Sequence, residues 1–387
     1  MADLVQERRE ALQSCPLGHS DRPACLYNLA ISLRNRFEHQ GIPSDLDEAI
    51  ELYRAALLLI PPGHLYQSRT INNLATSLHE RFKQRGVPSD LDEAIELHRA
   101  ALLLCPPGHS DRSASLNNLA SSLQNRFEQR GVPSDLDEAI ELRRAALLLC
   151  PPGHSDRSVS LNNLASSLRS RFKHRGIPSD LDEAIELHQA ALLLCPPGHS
   201  HRSATLDNLA NSLHQRINLN QRGVPSDLDE VMELRRAALL LRPPGHSDRS
   251  KSLNNLAKSL HERFKQGGVP SDLDEAIELH RAALLLRPPG HSDRPSSLNN
   301  LASSIYDRFK QRGVQSDLDE AIELYQAALP LCPPGHSDRS ATLVNLAISL
   351  QNRFKQRGVP SDLDEANELR RSLSPQVFAS MKQDGKS

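Results

Sequence analysis

Tryptophan is absent from this 387-residue chain, and aromatic residues as a whole supply only 3 % of it. So few flat rings leave little for bases to stack on, the usual platform for single-stranded nucleic acid. A surplus of positive charge is missing too: 46 Lys and Arg stand against 48 Asp and Glu, a formal charge of −2. Nucleic-acid recognition needs a clustered basic excess, so no nucleic-acid partner is expected. Long apolar runs are lacking. The longest are of the Ala-Ala-Leu-Leu-Leu-Cys type seen at 145–150, far short of the ~18 residues a membrane span requires. The opening MADLVQERREALQSC is too polar for the apolar segment of a secretory signal. No membrane association is expected, and the location expected is cytoplasmic.

The six cysteines show no CxxC or Cys/His metal spacing. Cys15, Cys105, Cys150, Cys195 and Cys332 share one position, just before a proline, where Ile60, Arg242 and Arg287 also occur. Equivalent residues on packed helices stand ~8–10 Å apart, beyond the ~7 Å Cα limit for a disulfide. These are expected to be reduced, small, half-buried apolar residues, as suits a reducing compartment.

What the chain does have is a repeat. Leu116-Asn117-Asn118-Leu119-Ala120 recurs as LYNLA, INNLA, LNNLA, LDNLA or LVNLA eight times between residues 26 and 347. Each copy is followed by SDLDEA (SDLDEV in the fifth unit), a Leu-rich run and, in most units, PPGHSDR. The first Asp of SDLDEA falls at 45, 90, 135, 180, 227, 272, 317 and 362, a step of 45 broken once by a step of 47. A fixed period of this size marks a stacked array in which each unit contacts its neighbours and no single compact core is needed.

Residues 106–150 show the unit. Pro106-Pro107-Gly108 breaks the preceding helix, and Ser110 or Asp111 is expected to cap the next. Leu116, Leu119, Ala120, Leu123 and Phe127 make one apolar stripe at helical spacing. Gly131 is the left-handed terminator, with Val132 as its hydrophobic contact. Asp135 as N-cap with Glu138 resembles a capping box, and helix capping is the role expected of the DLD acids. Leu136, Ala139, Ile140, Ala146, Leu147 and Leu149 form the buried side of a second helix. Leu148 breaks that stripe, so the second helix is expected to be buried on two sides.

These helix pairs resemble tetratricopeptide repeats. Asn118-Leu119-Ala120 with Leu123 is similar to that family's first-helix signature, and Ala139, Ala146 and Pro151 to its second-helix signature. The family's aromatic between those alanines is kept as Tyr53 and Tyr325, but is His98, Arg143, His188, Arg235, His280 or Arg370 elsewhere. The long period resembles kinesin light chain repeats. It is still more similar to fungal and bacterial arrays joined to caspase-like (CHAT) peptidase or nucleotide-binding domains. The resemblance implies an all-α fold, an α-solenoid of helix-turn-helix repeats wound into a right-handed superhelix. Residues 1–16 read as a leading half repeat with only its second helix, 17–372 as eight repeats, and 373–387 as a disordered tail. Two extra residues in 217–223 are expected to be absorbed in a loop.

Chemistry is hard to find in such a pattern. Ser, His, Asp and Cys recur at one fixed place per unit, whereas a catalytic group must be singular and convergent with others; no catalytic residue, cofactor or metal is expected. The loop histidines His19, His64, His109, His154, His199, His246, His291 and His336 stand a repeat apart, too far to share one zinc ion at ~2 Å. What remains is a surface. The resemblance implies that the first helices line a concave face and puts Asn28, Asn73, Asn118, Asn163, Asn208, Asn255, Asn300 and Asn345 on it. An amide offers donors and an acceptor, so this ladder is a candidate grip for a peptide backbone; alternatively each Asn bonds a neighbouring helix or turn. Five residues after the Leu, the variable Arg34, His79, Gln124, Arg169, His214, His261, Tyr306 and Gln351 are candidate selectivity positions. The Arg before Phe, Arg126 in this unit, is expected to bond an acid of SDLDEA or its own helix end. The function expected is a non-catalytic scaffold binding a protein or extended peptide. The alternative is a sensor or regulatory arm of a larger signalling protein. The oligomeric state is not legible.

Overall fold

The structure, a computed structural model, describes residues 2–64, 66–219 and 225–372. Among these residues every regular element is helical. The expected loop insertion lies partly, and the tail after 372 entirely, outside the described residues. Two compact units divide the chain, residues 1–196 and 197–387. The first holds α1 (Ala2–Gln13), α2 (Arg22–Gln40), α3 (Pro43–Leu59), α4 (Gln67–Arg85), α5 (Pro88–Leu103), α6 (Arg112–Arg130), α7 (Pro133–Leu148), α8 (Arg157–Arg175) and α9 (Pro178–Leu193). The second holds α10 (Arg202–Leu219), α11 (Pro225–Leu240), α12 (Arg249–Gly267), α13 (Pro270–Leu285), α14 (Arg294–Arg312), α15 (Gln315–Ala328), a 3-10 turn at Leu329–Leu331, α16 (Arg339–Arg357) and α17 (Pro360–Arg371).

Even-numbered helices are the first of each pair. In either unit, a first helix packs on its own second helix, and that second helix packs on the next first helix, as α6 on α7 and α7 on α8. Successive first helices also approach each other directly, α4 with α6 and α6 with α8. This is an α-solenoid of tetratricopeptide-like pairs. Its core is the expected stripe: Leu116, Leu119, Ala120, Leu123 and Phe127 face Leu136, Ala139, Ile140 and Ala146, all buried, and burying each Leu stabilises by ~1.5–3 kcal/mol.

The ends of the helices depart from expectation. Gly131 does stop α6, at φ 68° with its N–H on the Phe127 carbonyl at 2.7 Å, a conformation a side chain would strain. But α7 begins at Pro133, two residues before the expected cap, and Val132 occupies the N-cap in extended conformation without a side-chain cap. Proline fits the first helical position because its missing N–H would be unpaired there anyway. Asp135 is therefore inside the first turn, and its carboxylate is held by Arg126 through Nε at 2.7 Å and Nη2 at 2.9 Å. The second acid of DLD goes to the following repeat in Asp47, Asp92, Asp137, Asp229, Asp274 and Asp319, as Asp137 to Arg171 at 3.3 Å and to Arg175 at 2.7 Å. Capping is thus not the role of these acids; ion pairing within and between repeats is.

Capping at the other junction also changes hands. Asp111 stands at the N-cap of α6 but makes no capping bond, its carboxylate taken by Arg69 at 2.7 Å. The loop histidine does the work instead: His109 Nδ1 accepts the Asp111 N–H at 3.1 Å. His19, His64, His154, His199, His246, His291 and His336 each accept the N–H two residues on. Leu148 is a further correction: it is 83 % exposed and Leu149 39 % exposed, so this end of α7 is not buried on two sides. The repeat-position cysteines, expected half-buried, are buried.

Candidate binding face of the first helices

The predicted asparagines lie along the first helices, but their amides are not uniformly free. Asn28 is exposed, and Asn73, Asn118, Asn163, Asn208, Asn255, Asn300 and Asn345 are half-buried. Asn118 donates Nδ2 to Asn72 Oδ1 at 3.2 Å, and Asn300 does the same to Asn254 at 3.0 Å. Asn73 donates to the Tyr27 hydroxyl at 3.0 Å and accepts from Arg34 Nη1 at 3.4 Å. These bonds tie one first helix to the preceding one, so the column is partly a seam between repeats. Asn163 and Asn255 offer backbone carbonyls to buried Arg143 and Arg235, at 2.8 and 2.7 Å.

The variable column is held in a similar way. His79 is buried and pairs with Asn125 Nδ2 of the next repeat at 2.5 Å. His261, also buried, meets Asp307 at 2.8 Å. Gln124 contacts Ser170 at 3.5 Å, and the Tyr306 hydroxyl accepts from Asn352 Nδ2 at 2.5 Å. Arg34, Arg169, His214 and Gln351 are half-buried; burial lowers the pKa of Arg169 and of His214.

Beneath both columns lies a layer whose role sequence reasoning missed. The second-helix position that is aromatic in Tyr53 and Tyr325 is buried in every described unit except that of Arg370, and several of its occupants hydrogen-bond the first helices from below. His98 Nδ1 lies 3.1 Å from Asn72 Oδ1. Arg143, only 5 % exposed, reaches Gln124 Oε1 at 2.7 Å and Ser121 Oγ at 3.3 Å, and also donates to Ser167 Oγ. No carboxylate is among those partners, and burial pushes the Arg143 guanidinium down to about 10. Arg370 holds Gln351 at 2.6 Å. The signal was in the sequence, as one position shared by Tyr, His and Arg.

One place on this face is singular. Tyr27 packs against Tyr53 edge-on at 5.9 Å between ring centroids and against Tyr66 at 6.4 Å, with His64 5.5 Å from Tyr66. Beside them opens a cavity of about 450 Å³ walled by Pro23, Ala24, Tyr27, Leu59, Ile60, Pro61 and Tyr66, with Asp21, Asn28 and His64 supplying polar groups. A second hollow continues from Tyr27 along Arg69, Asn72 and Asn73 toward Asp111. The sequence marks the spot: the loop here reads PPGHLYQ, with Tyr66 standing where Asp111 stands in the next repeat, and Tyr27 replaces Asn.

The leading half repeat and the first full repeat share a cysteine pair that spacing arguments between repeats overlooked. Cys15 Sγ lies 2.9 Å from Cys25 Sγ. Cys25 occupies the place of Ser115, whose hydroxyl faces the Cys105 sulfur at 3.9 Å. Burial, reinforced by Cys15, pushes the Cys25 thiol up to about 11.

A family model for the Sel1 repeat matches residues 23–59, 70–104, 113–147, 158–194, 250–286 and 295–329, more than half of the chain. The chain belongs to the Sel1 repeat family. Sel1 repeats are tetratricopeptide-like, in keeping with the expected resemblance. Among solved structures, the chain is similar to human IFIT1, seen as a dimer with m7Gppp-AAAA: TM-score 0.62, 14 % identity, covering 97 % of this chain and 74 % of that one. It is also similar to the nearly identical TPR-like repeats of a putative kinesin light chain from Podosopora anserina, with TM-score 0.42, 20 % identity, and coverage of 58 % and 96 %. At these identities the likeness concerns the fold. Among curated proteins no match is found. The Sel1-repeat array is a repeat scaffold of a kind suited to protein–protein interaction. No helix among the described residues is long and apolar enough to cross a membrane.

Proposed function

We propose that this Sel1-repeat chain is a non-catalytic scaffold that binds an extended peptide along the first helices of its first unit. The observation that carries the reading is the Tyr27–Tyr66 cavity. At about 450 Å³ it falls within the ~300–1,000 Å³ range of ligand sites, and its lining follows their usual pattern of apolar walls with a few polar groups. A peptide enters it by an apolar or aromatic anchor side chain, while its backbone runs on past Asn28 and Asn73. Tyr66, 45 % exposed, and Asn28 need no rearrangement to meet it. The remaining asparagines, including Asn118 and Asn163, divide their amides between the neighbouring repeat and the ligand, and the variable column tunes the groove by how it is gripped from below.

Panning a random-peptide library on the full chain tests this. Enriched peptides sharing an apolar anchor, and losing binding with Tyr66→Ala, support it. No enrichment, or enrichment indifferent to Tyr66, refutes it. Because the IFIT1 structures hold capped or triphosphorylated RNA, oligoadenylate is the competitor to include. Displacement of the peptides by oligoadenylate would assign the groove to RNA instead.

A further inference from the structure

The second helices carry a feature that peptide binding leaves unused. Leu58, Leu103, Leu148 and Leu193 in the first unit, and Leu240 and Leu285 in the second, are each 83–87 % exposed. Single exposed leucines are ordinary, but a row of them at one repeat position marks an interaction surface. Each is followed by a half-exposed leucine, Leu59, Leu104, Leu149 and Leu194 in the first unit. The row belongs to the second helices, opposite in role to the asparagine-bearing first helices. Leu148 stands two positions after buried Ala146, which places it ~200° round the helix.

We propose that the leucine row of the first unit is a dimer interface whose occupant is a second copy of this chain. Three observations select that occupant. The first is period. Rungs recur at one position per repeat, on second helices that are each separated from the next by a first helix, so gaps lie between them at a regular spacing. A partner filling every gap must carry apolar knobs at the same spacing, and an identical row does. The second unit shows what such a knob enters: a hollow of about 630 Å³ beside Leu240, with Leu239, Pro243, Pro244, Leu256 and Leu279 as apolar walls and Arg236, Arg249 and Glu275 at its edge. Two copies related by a two-fold axis present the same patch to each other and close without leaving an open end.

The second observation is charge. The arginines that accompany the row are already paired along the chain, Arg54 with Glu93 at 2.9 Å, Arg99 with Glu138 at 2.8 Å and Arg144 with Glu183 at 2.8 Å, while Glu96, Glu141 and Glu186 stand exposed on the same helices. An identical copy therefore brings no unpaired arginine to the row, and the formal charge of −2 adds little repulsion. The third is area. At roughly 100 Å² per exposed leucine, the four rungs and their half-exposed neighbours offer on the order of 600 Å², close to the ~800 Å² per partner of a standard interface.

Sedimentation velocity of the full chain across micromolar concentrations tests this, beside Leu58→Ser/Leu103→Ser/Leu148→Ser/Leu193→Ser. Leu17→Ser, at a leucine 86 % exposed but outside the row, is the control. The wild type and the control are expected to dimerise. The fourfold variant is expected to be monomeric, its dissociation constant raised at least ~100-fold, with an unchanged helix signal and melting curve. Leu103→Lys/Leu193→Lys, which puts like charges into the same gaps, is expected to abolish the dimer equally. A monomeric wild type at the highest concentration overturns the proposal. So does a dimer that survives in a folded variant, or a monomer whose row instead binds vesicles of phosphatidylcholine and phosphatidylserine.

Discussion

Arg126, one turn before the end of α6, holds both carboxylate oxygens of Asp135, in the first turn of α7, at 2.7 and 2.9 Å. The same fork joins Arg36 to Asp45, Arg81 to Asp90, Arg171 to Asp180, Arg263 to Asp272, Arg308 to Asp317 and Arg353 to Asp362. It fixes the angle at which a second helix leaves the first. Asp135→Ala leaves a partly buried guanidinium without its partner and is expected to cost about 1–3 kcal/mol. Thermal melting by circular dichroism checks it. A melting point equal to wild type would show that the fork is ornamental.

Mild acid is expected to destabilise the array through its buried histidines. Burial holds His98, His188 and His280 down to about 3 and His79 to about 4, against ~6.5 in an unfolded chain. Between those values the unfolded chain binds a proton that the folded one does not. Stability therefore falls as pH falls from about 6.5, by ~1.4 kcal/mol per unit for each histidine. The Arg-bonded carboxylates Asp47, Asp137 and Asp362 have lowered pKa values, so their contribution, present above the ordinary carboxylate range, is lost only at more acidic pH. The melting point should drop between pH 7 and pH 5, and drop less for His98→Tyr, which copies Tyr53. An unchanged melting point down to pH 5 would contradict the burial of these rings as neutral bases.

Two leucines of one helix should behave oppositely. Leu136 is 1 % exposed and Leu148 is 83 % exposed. Leu136→Ala is expected to cost ~2–5 kcal/mol, and Leu148→Ser within about 0.5 kcal/mol of nothing. Denaturant titration of both variants, each as a monomer at low concentration, decides it. Comparable losses would restore the two-sided burial that the sequence suggests.

Cys15 and Cys25, 2.9 Å apart, are placed to join when an oxidant accepts their two electrons and two protons. Treatment with diamide is expected to form one intramolecular disulfide, found by peptide mapping, with Cys105, Cys150, Cys195 and Cys332 still alkylated after denaturation. Scrambled pairing, or none, would contradict the placement.

The fold was legible because period, stripe and terminator repeat eight times, so an error in one unit is corrected by the others. Helix starts were less legible. Ser134-Asp135 has the composition of a cap, yet Pro133 enters the helix first and Arg126 claims the acid, a tertiary bond that no local pattern displays. Leu148 misled for a similar reason: hydrophobicity alone does not say which side of a stack stays open. The place of the asparagines along the first helices was legible in the repeat pattern. The sharing of their amides with Asn72, Asn254 and Tyr27 depends on an offset of 46 residues between neighbouring repeats, which emerges only once the helices are stacked. The Tyr27–Tyr66 cavity was visible as a break in PPGHSDR, but only folding brings those two rings together.

Calorimetric titration of the strongest panned peptide into wild type, Tyr66→Ala, Asn28→Ala and Leu148→Ser tests the central claim most directly. The account predicts at least ~10-fold weaker binding to the first two variants, unchanged affinity for Leu148→Ser, and equal melting points throughout. Full affinity for Tyr66→Ala and Asn28→Ala on folded protein would contradict it and move the peptide off the first helices.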